Sequence, residues 1–392
     1  MKEAVFLQEV KEIQLLKNAL TLLDWDSSTG MPEKSSPFRG EVEGYLTGLY
    51  FERSIGPVIQ EALAYFETRP EELSELGKLV FEKVKEEYAL NKNVPAERMQ
   101  EYVKVLNQAH TDWLKARAAQ DFGLLEETLT KVVAFQKEFI PYWQKEEKTP
   151  YDVLLNQFEP GMTVEKLDQV FDQVKQGIQE IRTVLAEKGT PPRTDFLSRK
   201  MTKEQQRRFV IGVVEQLGYD FSKGRLDDTV HPFMTALNRN DARITTRWEE
   251  NNFSMATFGV IHEAGHGMYE QNFDPKFDFT PLSEGASMGI HESQSLFNEI
   301  IIGSNRAFWQ KQYPFFQECA EGTFDDIAFE DFYASLKETK ASLIRIDSDS
   351  LTYPLHIIIR YEIEKMLFNG SLEVADLPKV WNEKYQEYLG VS

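Results

Sequence analysis

The stretch Phe258-Gly-Val-Ile-His262-Glu263-Ala-Gly-His266-Gly-Met-Tyr269-Glu270-Gln271 decides how the rest of the chain is read. Its spacing predicts a helix carrying the pattern His-Glu-x-x-His. At about 3.6 residues per turn, His262 and His266 share one face one turn apart, so both imidazoles reach a single metal ion. Glu263 is rotated off that face, where a carboxylate can hold water without occupying the metal. With 6 His and 64 acidic residues in 392, the pattern has roughly 0.015 chance occurrences, which favours a metal-hydrolase signature over two satisfied core histidines. Gly259, Gly265 and Gly267 each cost about 1 kcal/mol relative to Ala inside a helix, so close approach by neighbours is expected. Phe258, Val260, Ile261, Ala264 and Met268 make the remaining turns apolar and predict a buried helix.

Immediately upstream, Asp241-Ala-Arg243-Ile-Thr245-Thr246-Arg247-Trp248 predicts a short strand. Such a strand could pair its edge with an extended peptide across the metal, or form an ordinary surface hairpin. Downstream, Asp274-Pro-Lys-Phe-Asp-Phe-Thr-Pro281 is loop. A helix starting at Ser283 or Ser287 then carries His291-Glu292-Ser293-Gln294. Glu292 follows His266 by 26 residues, enough for a return loop and a second packed helix. Its carboxylate would complete a three-ligand site with one open position. Glu270, Glu284 and Glu299 are rival third ligands. The metzincin pattern fails, because Tyr269 and Asn272 stand where it needs Gly and His.

Helical periodicity extends over residues 1–25, 39–50, 72–91, 96–119, 123–146, 163–188 (with Thr163 as cap) and 202–217. A turn-rich break is expected over Asp24–Pro32. Gly189-Thr-Pro-Pro-Arg193 is the strongest linker-like cluster. It suggests an N-terminal helical lobe, 1–190, covering a catalytic lobe, 191–392, unless the two form one continuous domain. Residues 326–389 return to helices. There Ile357-Ile-Ile-Arg360-Tyr-Glu-Ile is apolar on most sides, so His356 and Arg360 should be paired or line a cavity. Five of the six histidines, at 231, 262, 266, 291 and 356, point to one polar site gathered from distant segments.

Hydrophobic residues at 41% supply a sizeable core, and a formal charge of −20 argues against nucleic acid or an anionic membrane as partner. The single cysteine, Cys319, forbids an intrachain disulfide and reads as a buried thiol rather than a nucleophile. The N-terminus lacks a secretory pattern and no apolar run of about 18 residues exists, so a soluble cytoplasmic protein is expected.

Several motifs, in order, resemble the carboxypeptidase Taq family of metallocarboxypeptidases. They are Trp25-Asp26-x-x-Thr29-x-Met31-Pro32, His231-Pro-Phe233, Asp241-x-Arg243-x-Thr245, His262-Glu-x-x-His266, His291-Glu-Ser-Gln294, Ile344-Arg345-x-x-Ser348-Asp349 and Leu351-Thr-Tyr-Pro-Leu-His356. The resemblance implies a mainly α, zincin-like protein with a deep substrate groove and a very small β element beside the active-site helix. It also implies zinc (or cobalt), peptide substrates shortened one residue at a time from the C-terminus with broad preference, and a homodimer. Carried over by motif, His262, His266 and Glu292 are metal ligands and Glu263 the general base. Arg345 would grip the substrate's terminal carboxylate, since a guanidinium binds a carboxylate through two parallel hydrogen bonds; an ion pair with Asp347 or Asp349 is the alternative. His231, Arg243 and His291 are further substrate-binding candidates. The family pattern continues with Gly-x-x-Gln-Asp-x-His-Trp and Phe-Gly-Tyr-Phe-Pro segments that this sequence does not contain. Two other expectations stand beside exopeptidase action: an endo-acting oligopeptidase and, because those segments are missing, a metal-binding protein with impaired turnover.

Overall fold

The computed structural model describes residues 1–345 and 348–391. It is mainly helical. The first helices are α1 (Glu3–Thr29), α2 (Ser36–Ser54), α3 (Pro57–Phe66), α4 (Glu75–Lys92) and α5 (Ala96–Ala119). They are followed by α6 (Gly123–Trp143), α7 (Pro150–Phe158), α8 (Val164–Lys188) and α9 (Lys203–Leu217). Strands β1 (Leu226–Asp228), β2 (Met234–Asn238) and β3 (Asp241–Thr246) precede α10 (Phe253–Gln271) and α11 (Met288–Leu296). The remainder comprises α12 (Arg306–Ala320), α13 (Phe329–Ser335), α14 (Tyr353–Phe368) and α15 (Leu377–Leu389). Among the described residues no helix is long and apolar enough to cross a membrane.

The chain forms two compact units, Met1–Tyr88 with Arg193–Leu336, and Ala89–Pro192 with Lys337–Ser392. Each is built from two separated segments, whereas a division into 1–190 and 191–392 has a single crossing. The physical reason lies in the first helices. Phe6 and Val10 of α1, Ile59 and Phe66 of α3, and Phe81 of α4 form a buried cluster against which Leu282, far along the chain, packs.

Helix α1 also runs further than its sequence suggests, through Asp24–Thr29 rather than breaking there. Asp, Ser and Thr favour turns because their side chains compete for backbone groups, but here Asp26 is tied to Arg39 and Thr29 bonds back along the helix. Arg39 donates to the Leu23 carbonyl at 2.9 Å and pairs with Asp26 at 2.5 Å, while the Thr29 hydroxyl donates to the Trp25 carbonyl at 2.7 Å. Trp25 itself is buried.

The sheet has the order β1-β3-β2, with β1 parallel and β2 antiparallel to β3. Leu226 and Met234 both oppose Ile244. Both edges of β3 are therefore occupied, and a peptide cannot add to it; the unpaired edges belong to β1 and β2. Ile244 points into the main core of the first unit, with Val260, Ile261 and Ala264 of α10, Phe209 and Val213 of α9, and Trp309 and Phe316 of α12.

In the second unit, Leu355, Ile358, Ile359 and Ile363 of α14 pack with Ile178 of α8, Val133 of α6 and Tyr385 of α15. His356 is wholly buried in the same helix, with Nδ1 3.0 Å from the Tyr385 hydroxyl and Nε2 lacking a hydrogen-bond partner among the described residues. Arg360 is exposed and so needs neither partner nor cavity. Burial holds the His356 imidazole below its usual range, with Arg345 adding to the effect and Asp349 opposing it. The unfolded chain thus binds the proton before the native one does. The stabilisation is whole above the ordinary imidazole value of about 6.5 and is lost as pH falls below it. Urea unfolding at pH 7.5 and 5.5 should show a steeper acid loss for the parent than for His356→Asn; equal losses would exclude His356 as the titrating group.

Candidate metal centre

Two helices build the site. Helix α10 is buried along Val260, Ile261 and Ala264, and its glycines decide how closely α11 approaches. A Cβ on Gly265 would lie 2.7 Å from both the Gln294 carbonyl oxygen and the Ser295 Cα. Those are backbone atoms of α11, so the contact cannot be relieved by a rotamer change. One on Gly267 would lie 2.6 Å from the Tyr219 ring, whereas Gly259 meets nothing nearer than 3.9 Å. Close approach thus explains two of the three glycines. Helix α11 starts at the later of the two candidate serines, because the Ser287 side chain accepts from the Ile290 N–H at 3.1 Å. It passes into a π-helical turn, Phe297–Ile302, which carries Glu299.

His262, His266 and Glu292 offer donor atoms that all lie within 4.8 Å of one another. Glu292 Oε2 is 3.7 Å from His262 Nε2 and 3.3 Å from His266 Nε2. A tetrahedral zinc ion with bonds of about 2.0–2.1 Å spaces its ligand atoms roughly 3.3–3.4 Å apart. The donor types and spacing therefore fit such an ion. The far side of each ring is occupied: His262 Nδ1 is 2.8 Å from Glu299 Oε2, and His266 Nδ1 is 2.6 Å from His291 Nδ1. His291 Nε2 in turn lies 2.8 Å from Glu270 Oε1. The rival acids are thus engaged elsewhere, Glu299 and Glu270 behind the rings and Glu284 in an ion pair with Lys17.

Burial pushes the Glu263 carboxyl up to about 7; His262 opposes the shift, and the charges of Glu292 and Glu299 add to it. Burial alone would lower His262, but the Glu299 hydrogen bond and the carboxylates of Glu292, Glu299 and Glu263 outweigh it and raise the imidazole. Burial works against the ionised Glu292 as well, yet His266 and His262 hold its carboxyl below the usual range. A divalent cation bound by the three donors would take over the protons' role of offsetting this negative field.

Arg243 forms a bidentate pair with Asp241 at 2.8 Å and lies over the Trp25 ring at 4.4 Å. Strand alternation turns it away from the face on which Ile244 meets α10. His231 is exposed between β1 and β2. Arg345 donates to the Tyr353 hydroxyl at 2.7 Å and makes no ion pair among the described residues. Of its alternative partners, Asp349 accepts instead from the Thr352 hydroxyl, and Asp347 lies outside the described residues. Sequence reasoning treated Glu270 and Glu299 only as rival ligands and missed their partnership with the imidazoles. The signal was there: Glu270 follows His266 by one helical turn and Glu299 follows Glu292 by about two.

Two histidines one turn apart, a glutamate beside them and a third donor from the next helix define a helical metallohydrolase. The sequence profile described as Carboxypeptidase Taq (M32) metallopeptidase matches residues 5–392. Carboxypeptidase 1 of Bacillus subtilis is 45% identical over 390 residues, covering 100% of this chain and 78% of its own. Thermostable carboxypeptidase 1 of Thermus thermophilus is 34% identical, covering 97% of this chain and 77% of its own. The crystal structure of the M32 carboxypeptidase from Deinococcus radiodurans R1 superposes with a TM-score of 0.94 at 34% identity, over 98% of this chain and 77% of that one. The chain belongs to the carboxypeptidase Taq family of metallopeptidases.

Gly265→Ala should force α10 and α11 apart. Overpacking of this kind costs about 1–3 kcal/mol, so a lower melting temperature and weaker zinc retention in chelator competition are expected. Gly259→Ala, with open space around it, is the control. If both variants match the parent, the close approach at Gly265 does not set the site.

Proposed function

We propose that the protein is a zinc-dependent carboxypeptidase, able to use cobalt, that removes single residues from peptide C-termini with broad preference. One observation carries the reading: two imidazoles and a carboxylate whose donor atoms all lie within 4.8 Å of one another, next to a buried glutamate, in a metallocarboxypeptidase family. His262, His266 and Glu292 would hold a divalent ion, whose chemistry there would be to lower the pKa of water and polarise a scissile carbonyl. Glu263 takes the proton from the attacking water and passes it to the leaving amine. Its desolvated carboxyl, near neutrality before a cation is present, is suited to accepting and releasing a proton in one cycle. Arg345 grips the terminal carboxylate of the substrate, a role supported by its guanidinium having only Tyr353 as a hydrogen-bond partner among the described residues. His231 and Arg243 are further candidates for substrate contact.

Glu263→Gln should retain zinc but lower kcat about 10²–10⁴-fold, the usual worth of a general base. Turnover at the parental rate would reject the mechanism. In the same assay, amidating the substrate's C-terminus should stop cleavage. Efficient cutting of amidated peptides would identify an endo-acting oligopeptidase, and a folded, zinc-loaded parent that cuts neither would be a metal-binding protein without turnover.

The family implies a homodimer, so light scattering should give twice the chain mass of 45.4 kDa; the single-chain mass would reject it. A cytoplasmic location belongs to the same reading, as the sequence suggests.

A further inference from the structure

The two imidazoles of the metal centre are held from behind by unlike partners. Glu299 accepts directly from His262, but His266 has no carboxylate at Nδ1 among the described residues. It meets another imidazole, His291, nitrogen to nitrogen at 2.6 Å. Two neutral rings can make such a contact only if one nitrogen carries the proton and the other is bare. The far end of His291 settles which. Glu270 Oε1, 2.8 Å from His291 Nε2, is an acceptor, so Nε2 carries the proton. Neutral His291 then has a bare Nδ1, and the proton between the rings belongs to His266 Nδ1. His266 Nε2 is left bare on the side where Glu292 Oε2 lies 3.3 Å away. The sequence of hydrogen bonds from His266 through His291 to Glu270 therefore selects the one tautomer of His266 that can ligate a cation through Nε2.

The His291 ring sits in a socket shaped to hold it. The Tyr269 ring meets it edge-on, with centroids 5.3 Å apart and planes at 84°. The Tyr269 hydroxyl accepts from the Ala286 N–H at 3.3 Å, which fixes the loop beside it. Gly285 closes the other side: a Cβ there would lie 2.6 Å from His291 Cδ2 and 3.4 Å from Tyr269 Cε1. Glu270, 7% exposed, is buried against solvent competition.

We propose that His291 is a positioning residue rather than a substrate contact: with Glu270 it locks His266 as an Nε2 ligand, and Gly285 admits its ring. This rests on His262, His266 and Glu292 being the metal centre. It explains why the second helix carries a histidine directly before its ligand Glu292. One residue reaches the cation and its neighbour reaches behind the ligand of the other helix.

The test compares parent, His291→Ala, His291→Asn and Gly285→Ala, each checked by circular dichroism for folding. Zinc affinity is measured by competition with a chelator, and the ligand field by visible absorption of the cobalt-loaded proteins. His291→Ala and Gly285→Ala should each lower zinc affinity about 10–100-fold, the usual effect of removing a group that orients a ligand, and both should alter the cobalt spectrum. Gly285→Ala removes no polar group, so a shared effect isolates the position of the ring. His291→Asn, whose Oδ1 can accept from His266 Nδ1, should recover most of the affinity. If His291→Ala does not fold, the other two variants decide. Parental affinity and spectrum in His291→Ala, with kcat/KM alone reduced, would return His291 to substrate binding and overturn the proposal. A parent that binds no zinc would instead reject the metal centre itself.

Discussion

Where α10 crosses α11, the backbone at Gly265 comes so near Gln294 and Ser295 that a single added carbon would lie 2.7 Å from main-chain atoms. Packed helices ordinarily stand 8–10 Å apart because side chains fill the space between them. Here the first helix gives up a side chain, at a cost of about 1 kcal/mol in helix propensity. The second helix answers with small or bonded groups. Ser295 is fully buried and donates to the Glu292 carbonyl at 2.7 Å, and Asn298 donates to the Gln294 carbonyl at 2.8 Å. Across this close crossing Glu292 meets the imidazoles of α10, at 3.3 Å from His266 Nε2 and 3.7 Å from His262 Nε2. The donor spacing is a consequence of the packing.

That closeness also concentrates charge. Glu263, Glu270, Glu292 and Glu299 surround His262, His266 and His291 in a half-buried region of a chain with a formal charge of −20. Burial disfavours the ionised carboxylates of Glu263 and Glu292, and the charges of Glu292 and Glu299 act on Glu263; the raised carboxyl of Glu263 and the raised imidazole of His262 are two expressions of one field. In such a place positive charge is stabilised whatever carries it. Protons can supply it, and a divalent cation supplies more of it from one point while leaving the imidazoles neutral to ligate. The side chains are already arranged by hydrogen bonds to Glu299 and His291, so little reorganisation is needed when the cation enters.

The parts of this arrangement that are local in sequence were legible there. Apolar periodicity and the His-Glu-x-x-His spacing define α10, and the distance from His266 to Glu292 allows a second helix. Spacing could not choose among Glu270, Glu284, Glu292 and Glu299, because each lies within reach on a flexible-chain argument. The choice is made by what the other three bind: His291, Lys17 and His262. Other features depend on distant partners and left little local trace. A three-residue strand, Leu226–Asp228, is too short to announce itself, yet it closes the edge of β3. Asp24–Thr29 reads as a turn until Arg39 folds back onto it. Gly259, Gly265 and Gly267 look alike in sequence, and only the neighbours distinguish a required glycine from a tolerated one.

The first helix is the least obvious contributor to the metal centre. On one side, Trp25 of α1 is covered by the guanidiniums of Arg243, at 4.4 Å, and Arg225, at 5.2 Å, which lie on or beside the sheet. The opposite face of that sheet presents Ile244 to the core of α10. On another side, α1 holds the loop that joins α10 to α11. Lys11 lies over the Phe279 ring at 4.6 Å, Leu282 packs against the cluster around Phe6, and Lys17 pairs with Glu284. Phe279 has a φ of 62°, a left-handed conformation that a bulky residue adopts only when its surroundings hold it there. Helix α1 thus braces both the sheet behind one metal-bearing helix and the loop leading to the other. This is why residues 1–88 belong to the same compact unit as a site formed some 200 residues later.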